Sequence, residues 1–325
     1  MRYARIASTG RAVAPVLITN EAMDARFGPG VGDWLVKNTG IRQRYHLAPG
    51  QVTSDLAAEA GAQALARAGL APTDVDLLIV ATDTPDQLSP ATAAVVQHKL
   101  GARKAGVFDL NNACAGFVTA LDLASRNLSA NPELRHVLVI GAYGMSRFLD
   151  WTDKATATLF ADGAGAVVLS PSAEPGLLAS TLWADGSLWD AMGIYEGGTS
   201  RPAGGEVHPH VQFVKKFPRS YNTEHWPRML RETAAKAAVP LDRVALFVFT
   251  QLNLRTIEEV MVTLGQPLKR AHWVMDKWGY TGSGCIPMTL DDAVEQGKLS
   301  PGDVVAFCAS GGGVAMASAF FTWRP

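Results

Sequence analysis

Cys114 stands where two patterns join. In the stretch DLNNACAGF (residues 109–117), an apolar run ends at Leu110 and a helical one begins at Phe117. A strand that feeds straight into a helix through small residues leaves the thiol at the helix N-terminus. Unpaired backbone N–H groups and the macrodipole favour an anion there, and the thiolate is the nucleophilic form. Ala113, Ala115 and Gly116 leave room for a substrate to approach. The sequence thus offers a nucleophile for covalent catalysis. The competing reading is the commoner fate of a free thiol, burial as a small hydrophobe.

Few other residues point to chemistry. Cys114, Cys285 and Cys308 are an odd count at wide spacing, which argues against a disulfide framework and against a zinc site. His208 and His210 flank Pro209 ahead of Lys215 and Lys216; they read as surface histidines, and no metal is expected. His272 is expected to enter a strand, and His46, His98, His136 and His225 have no supporting context. With 29 basic and 30 acidic residues the formal charge is −1, so nothing electrostatic favours nucleic acid or a membrane surface. The opening MRYARI lacks the apolar core of a signal peptide, and a cytoplasmic protein is expected. Residues 304–323 carry no charge, a run long enough to span a bilayer, but Gly311, Gly312 and Gly313 interrupt it. Two short strands joined by a glycine turn explain it better.

The elements that must position Cys114 come in two sets. A chain of 325 residues is long for one core. Residues 75–81 form a buried strand, followed by a polar loop, a helix ending at Gly101, the strand before Cys114, its helix, and a strand over 136–141. The second half repeats the order: a strand over 244–249, a helix ending at Gly265, residues 274–276, a helix through 289–293, and a strand over 304–308. Asp109 and Asp276, Cys114 and Thr281, and Val137 and Val304 share one offset of 167 residues. Repeats this long are duplicated domains rather than solenoid units. Continuous apolar strands alternating with helices predict α/β halves with parallel, fully covered sheets. The halves are set at 1–170, carrying the nucleophile, and 171–325. Facing each other, they bring Cys114 and the loop at Tyr280 and Thr281 to a common centre.

Five stretches in order resemble the β-ketoacyl-acyl-carrier-protein synthase III family of condensing enzymes. They are GDWLVKNTGIRQR (32–44), NACAGF (112–117), FADGAGA (160–166), NLR (253–255) and the glycines at 311–313. The resemblance implies a thiolase-like fold with layered αβαβα architecture. It also implies an acyltransferase that opens fatty-acid or polyketide chains, with no tightly bound cofactor. Coenzyme A or phosphopantetheine thioesters would be its substrates, from acyl-CoA or acyl-carrier protein. Cys114 attacks the thioester carbonyl, and the backbone N–H groups of Cys114 and Gly313 hold the oxyanion. In a typical member a histidine and an asparagine then assist decarboxylation of a malonyl thioester.

Those two positions depart from the pattern. Thr250 stands where the family has histidine, and Tyr280 where it has asparagine. Threonine supplies no imidazole, and loss of one positioned acid/base group removes about 10²–10⁴-fold in rate. An amine or hydroxyl acceptor needs less assistance than a malonyl carbanion. A cysteine-dependent acyltransferase is therefore the favoured reading. One alternative is a condensing enzyme that replaces the histidine with Tyr280 or the His208/His210 loop; another is a catalytically degenerate partner subunit.

The resemblance also implies the carrier contacts. Trp34 matches the aromatic stacked on adenine, Asn38 replaces an arginine beside it, and Thr39 is kept. Lys154 stands where an arginine is common, and Asn253 near the pantetheine end of the tunnel. Arg255, Lys215 and Lys216 could form a basic rim for an acidic carrier protein. A homodimer is implied, with residues 84–90 reaching the partner's acyl pocket. There Leu88 replaces a phenylalanine, which predicts room for a longer or branched acyl group.

Overall fold

The computed structural model describes residues 1–202, 209–215, 218 and 220–325; His208 and Lys216 lie outside the described residues. Each half of the chain supplies one five-stranded sheet. The first holds β1 (Tyr3–Val13), β2 (Leu77–Ala81), β3 (Gly106–Leu110), β4 (Val137–Tyr143) and β5 (Gly163–Ser172), in the order β1-β5-β4-β2-β3. The second holds β6 (Leu177–Ala184), β7 (Val244–Phe249), β8 (Ala271–His272), β9 (Val304–Gly311) and β10 (Ala315–Thr322), in the order β6-β10-β9-β7-β8. The two orders are the same strand for strand. Register agrees as well: β2 pairs with β4 from Leu77 and Val137, and β7 with β9 from Val244 and Val304, positions 167 residues apart. The offset read in the sequence is a duplicated topology.

The sheets are mixed, which corrects the expectation of parallel ones. Only β3-β2-β4 and β8-β7-β9 run parallel. β5 pairs antiparallel with both β4 and β1, and β10 does so with β9 and β6. Continuous burial explains why the sequence did not separate the two cases. All of β2 and β4 is buried, and β5 is buried over its first eight residues, so none of them alternates polar with apolar. The uncharged segment 304–323 is the β9–β10 hairpin, with Gly311 opposite Ala315. Among the described residues no helix is long and apolar enough to cross a membrane.

Six helices complete the layers: α1 (Thr53–Ala68), α2 (Thr92–Leu100), α3 (Gly116–Ala130), α4 (Tyr221–Ala237), α5 (Leu254–Thr263) and α6 (Cys285–Glu295). α3 and α6 each touch both sheets and form the central layer. α1 and α2 pack on the other side of the first sheet, and α4, with α5 against it, covers the second. The result is an αβαβα stack. A helix held between two sheets has little solvent face, and Phe117, Val118, Ala120, Leu121, Ala124 and Leu128 of α3 are all buried. The halves are also tied by charge. Asp291 of α6, fully buried, accepts from Thr9 Oγ1 at 2.6 Å and pairs with Arg11 of β1 and Arg67 of α1. Both arginines also reach Glu295, at 2.5 Å.

Candidate active site

Cys114 sits on a 3-10 turn, Ala113–Ala115, that hands the chain from β3 to α3. The turn carries strain. Ala113 holds φ at +45°, a left-handed conformation that residues other than glycine adopt at a cost. It is braced locally: Asn111 Oδ1 accepts from Ala113 N–H at 3.0 Å, and Asn112 Nδ2 donates to Thr119 Oγ1 at 2.9 Å. From the second half, Gly311 presses on this turn so closely that a Cβ there would come within 2.6 Å of Cys114 N. Glycine at 311 is therefore required by approach, whereas Gly313, at φ +70°, makes the left-handed step of the hairpin.

Cys114 lines a cavity of about 170 Å³ with Phe160, Thr250, Tyr280, Gly311 and Met316. No described histidine lines it. Tyr280 meets Cys114 in this cavity, as the facing of the two halves led one to expect, and its hydroxyl acts on the sulfur as a donor that favours the thiolate. Tyr280 is held by a bridge to Phe160, with Ala161 N–H donating to its carbonyl at 2.8 Å and the two rings 5.7 Å apart. Thr250 is occupied differently. Its hydroxyl accepts from Ser310 N–H at 3.0 Å, so it braces the strand end that carries the glycine loop.

Electrostatically the thiol departs from the dipole argument. Burial pushes the Cys114 thiol well above its ordinary range, and the nearby Asp83 carboxylate pushes the same way. The Tyr280 hydrogen bond opposes them. A helix N-terminus contributes only about 0.3–1 kcal/mol, up to about 2 when partly buried. The resting group is a thiol. Asp83 and Tyr143 were not singled out by the sequence reading. Tyr143, whose ring lies 6.5 Å from that of Tyr280, has a buried hydroxyl with no hydrogen-bond partner among the described residues.

A path leads from this cavity to the surface. Thr250 and Leu252 also line a second cavity of about 400 Å³, bounded by Trp34, Asn38, Thr39, Asn253 and Arg255. Trp34, 56% exposed, borders in turn a cavity of about 560 Å³ that Lys154 lines. The structure therefore brings Trp34, Asn38, Thr39, Lys154, Asn253 and Arg255 along one route to Cys114. Several have structural duties as well: Thr39 Oγ1 donates to Leu35 O at 2.6 Å, and Asn253 Oδ1 caps α5 by accepting from Arg255 N–H at 2.9 Å. Lys215 does not join them. Both oxygens of Asp190 hold its ammonium at 2.6 Å, and it lines none of these cavities. Leu88 is 82% exposed and lines none of them either. His272 is elsewhere, hydrogen-bonded to Asp292 and Lys298 at 2.8 Å each.

Two α/β halves of one topology, with a cysteine on the turn into the central helix of the first, define the thiolase-like class. The family of 3-oxoacyl-[acyl-carrier-protein] synthase III matches residues 108–186, and its C-terminal part matches residues 234–323. A β-ketoacyl-[acyl-carrier-protein] synthase III from a Roseiflexus species is 39% identical over 99% of this chain and 98% of its own. Among solved structures, 3-oxoacyl-[acyl-carrier-protein] synthase III from Aquifex aeolicus superposes with a TM-score of 0.89 at 30% identity, covering 98% of this chain and 100% of that one. A priming β-ketosynthase from a polyketide biosynthetic pathway gives 0.89 at 27% identity, covering 99% and 97%. The chain belongs to the β-ketoacyl-acyl-carrier-protein synthase III family, whose members are acyl-transferring, condensing transferases.

Proposed function

We propose that the protein takes an acyl group from a coenzyme A or carrier-protein thioester onto Cys114 and passes it to an amine or hydroxyl acceptor. The observation that carries this reading is the make-up of the Cys114 cavity. A phenol shares the cavity with the sulfur, the threonine hydroxyl is already engaged, and no described histidine lines it. In the first step Sγ bonds to the acyl carbon while the donor's C–S bond breaks, and the Cys114 proton leaves with the departing thiol. In the second, the acceptor's N or O bonds to that carbon, Sγ departs, and the acceptor's proton returns to Cys114. The backbone N–H groups of Cys114 and Gly313 hold the carbonyl oxygen in both. Tyr280, donating to sulfur, stabilises the thiolate as it forms and as it leaves.

Trp34, Asn38, Thr39, Lys154, Asn253 and Arg255 carry the pantetheine and nucleotide arm in this reading. Two copies pair, Leu88 reaches the partner's pocket, and the enzyme works in the cytoplasm. Decarboxylative condensation is the second reading, favoured by the names of the curated relatives. Intact-mass measurement after incubation with a panel of acyl-coenzyme A and acyl-carrier donors tests the loading step. An acyl adduct that disappears in Cys114→Ala is expected; no adduct from any donor would leave only the degenerate-partner reading standing.

A further inference from the structure

Away from Cys114, a buried histidine is set between a carboxylate and an amine. His272, at the end of β8, is bonded through Nε2 to Asp292 Oδ2 of α6 and through Nδ1 to Lys298 Nζ just past that helix, at 2.8 Å each. An ammonium can only donate, so Nδ1 is the acceptor and the ring carries its proton on Nε2, toward Asp292. The order carboxylate, imidazole, amine is that of a nucleophile served by an oriented base. Asp292 is already matched by another cation. Lys277, on the short helix Met275–Trp278, donates to both its oxygens at 3.0 and 2.8 Å, and Gln296 adds a third bond at 2.7 Å. Lys298 is left facing the ring rather than the carboxylate. Partial burial pushes its ammonium below the ordinary lysine range; Asp292 opposes this, and Lys277 adds to it.

The amine is within reach of a substrate. Lys298 is exposed, and with His272 it lines a cavity of about 500 Å³ whose other charged groups are Lys269, Lys277 and Asp276. Three lysines against one carboxylate favour an anionic donor. We infer that Lys298 is a second nucleophile, which takes an acyl group from acyl-coenzyme A onto Nζ with His272 as its base and Asp292 holding that base in place. Nζ of the neutral amine bonds to the acyl carbon, and the thioester C–S bond breaks. One Nζ proton passes to His272 Nδ1 and from there to the departing thiolate of coenzyme A, so the imidazole ends as it began. The product is an amide at Lys298, and Cys114 has no part in the step.

Acetyl-coenzyme A tests this in the unaltered protein and in Cys114→Ala, with acetylated lysines read by peptide mapping after neutral hydroxylamine, which strips a cysteine thioester and leaves an amide. At pH 8 Lys298 is expected to react at least about tenfold faster than Lys269 and Lys277, which share the cavity. Its rate should level off with rising pH below the ordinary lysine value of about 10.4. His272→Gln should bring Lys298 down to the rate of Lys269 and leave Lys269 unchanged. Asp292→Asn should lower the plateau rate and move the plateau to lower pH, because Asp292 holds the ammonium up. Lys298 reacting no faster than its two neighbours, or at a rate that His272→Gln leaves unchanged, would overturn the inference. So would a rate in the unaltered protein still climbing at pH 10.5, a result that does not depend on how any variant folds. Each of these leaves Cys114 loading untouched, whereas absence of a Cys114 adduct beside an acetylated Lys298 would sink the acyltransferase reading alone.

Discussion

At the residue scale, reactivity turns on one sulfur whose surroundings oppose its ionisation. Because burial and Asp83 raise the Cys114 thiol, the thiolate fraction grows with pH throughout the range below its displaced value. Alkylation by iodoacetamide should therefore rise about tenfold per pH unit from 7 to 9 without levelling. A plateau near neutral pH would mean that the anion is stabilised after all. Tyr280→Phe removes the hydrogen bond that favours the thiolate, worth about 0.5–1.5 kcal/mol. Acylation should slow about two- to tenfold at fixed pH; an unchanged rate would deny Tyr280 its role. Cys114 was legible because a strand, small residues and a helix meet around it. Tyr280 was legible only as a departure at a known position, since its bond to sulfur depends on bringing the two halves face to face. Asp83 gave no local signal, because its push on the thiol is a property of the packed surroundings.

At the element scale, the site exists only where the two halves touch. The Ala113–Ala115 turn comes from one half, while Tyr280, Thr250 and Gly311 come from the other. The Asp291 cluster fixes their relative position, linking α6 to β1 and α1. Removing one partner of a buried ion pair costs about 3–5 kcal/mol, and the arginines' partial exposure puts this case at the lower end. Asp291→Ala should lower the thermal midpoint by several degrees; a shift under one degree would show that the halves are held by apolar packing alone. The duplication was readable because three pairs of landmarks share one offset. Strand direction was not, since β5 and β10 are buried like their parallel neighbours and direction leaves no mark on composition. The pairing of Lys215 with Asp190 was not legible for a related reason: it spans residues that no pattern links.

At the scale of the whole molecule, one of the four edges of the two large sheets carries an exposed aromatic side chain. β3 ends the first sheet, and Phe108 on it is 40% exposed. An unpaired edge bearing apolar side chains is a template for pairing with a second chain. The protein should run at twice the chain mass in light scattering, and Phe108→Glu should convert it to monomer. A monomeric parent would remove Leu88 from any partner's pocket. The claim that the proposed reading depends on is narrower: Cys114 accepts an acyl load, and with no described histidine lining its cavity the load is not discharged by a malonyl carbanion. The direct measurement loads Cys114, removes the donor, and follows the adduct by intact mass after adding malonyl thioester or a small amine. Persistence with malonyl thioester and rapid loss to the amine are the expected result. Prompt discharge by malonyl thioester with release of carbon dioxide would contradict the account.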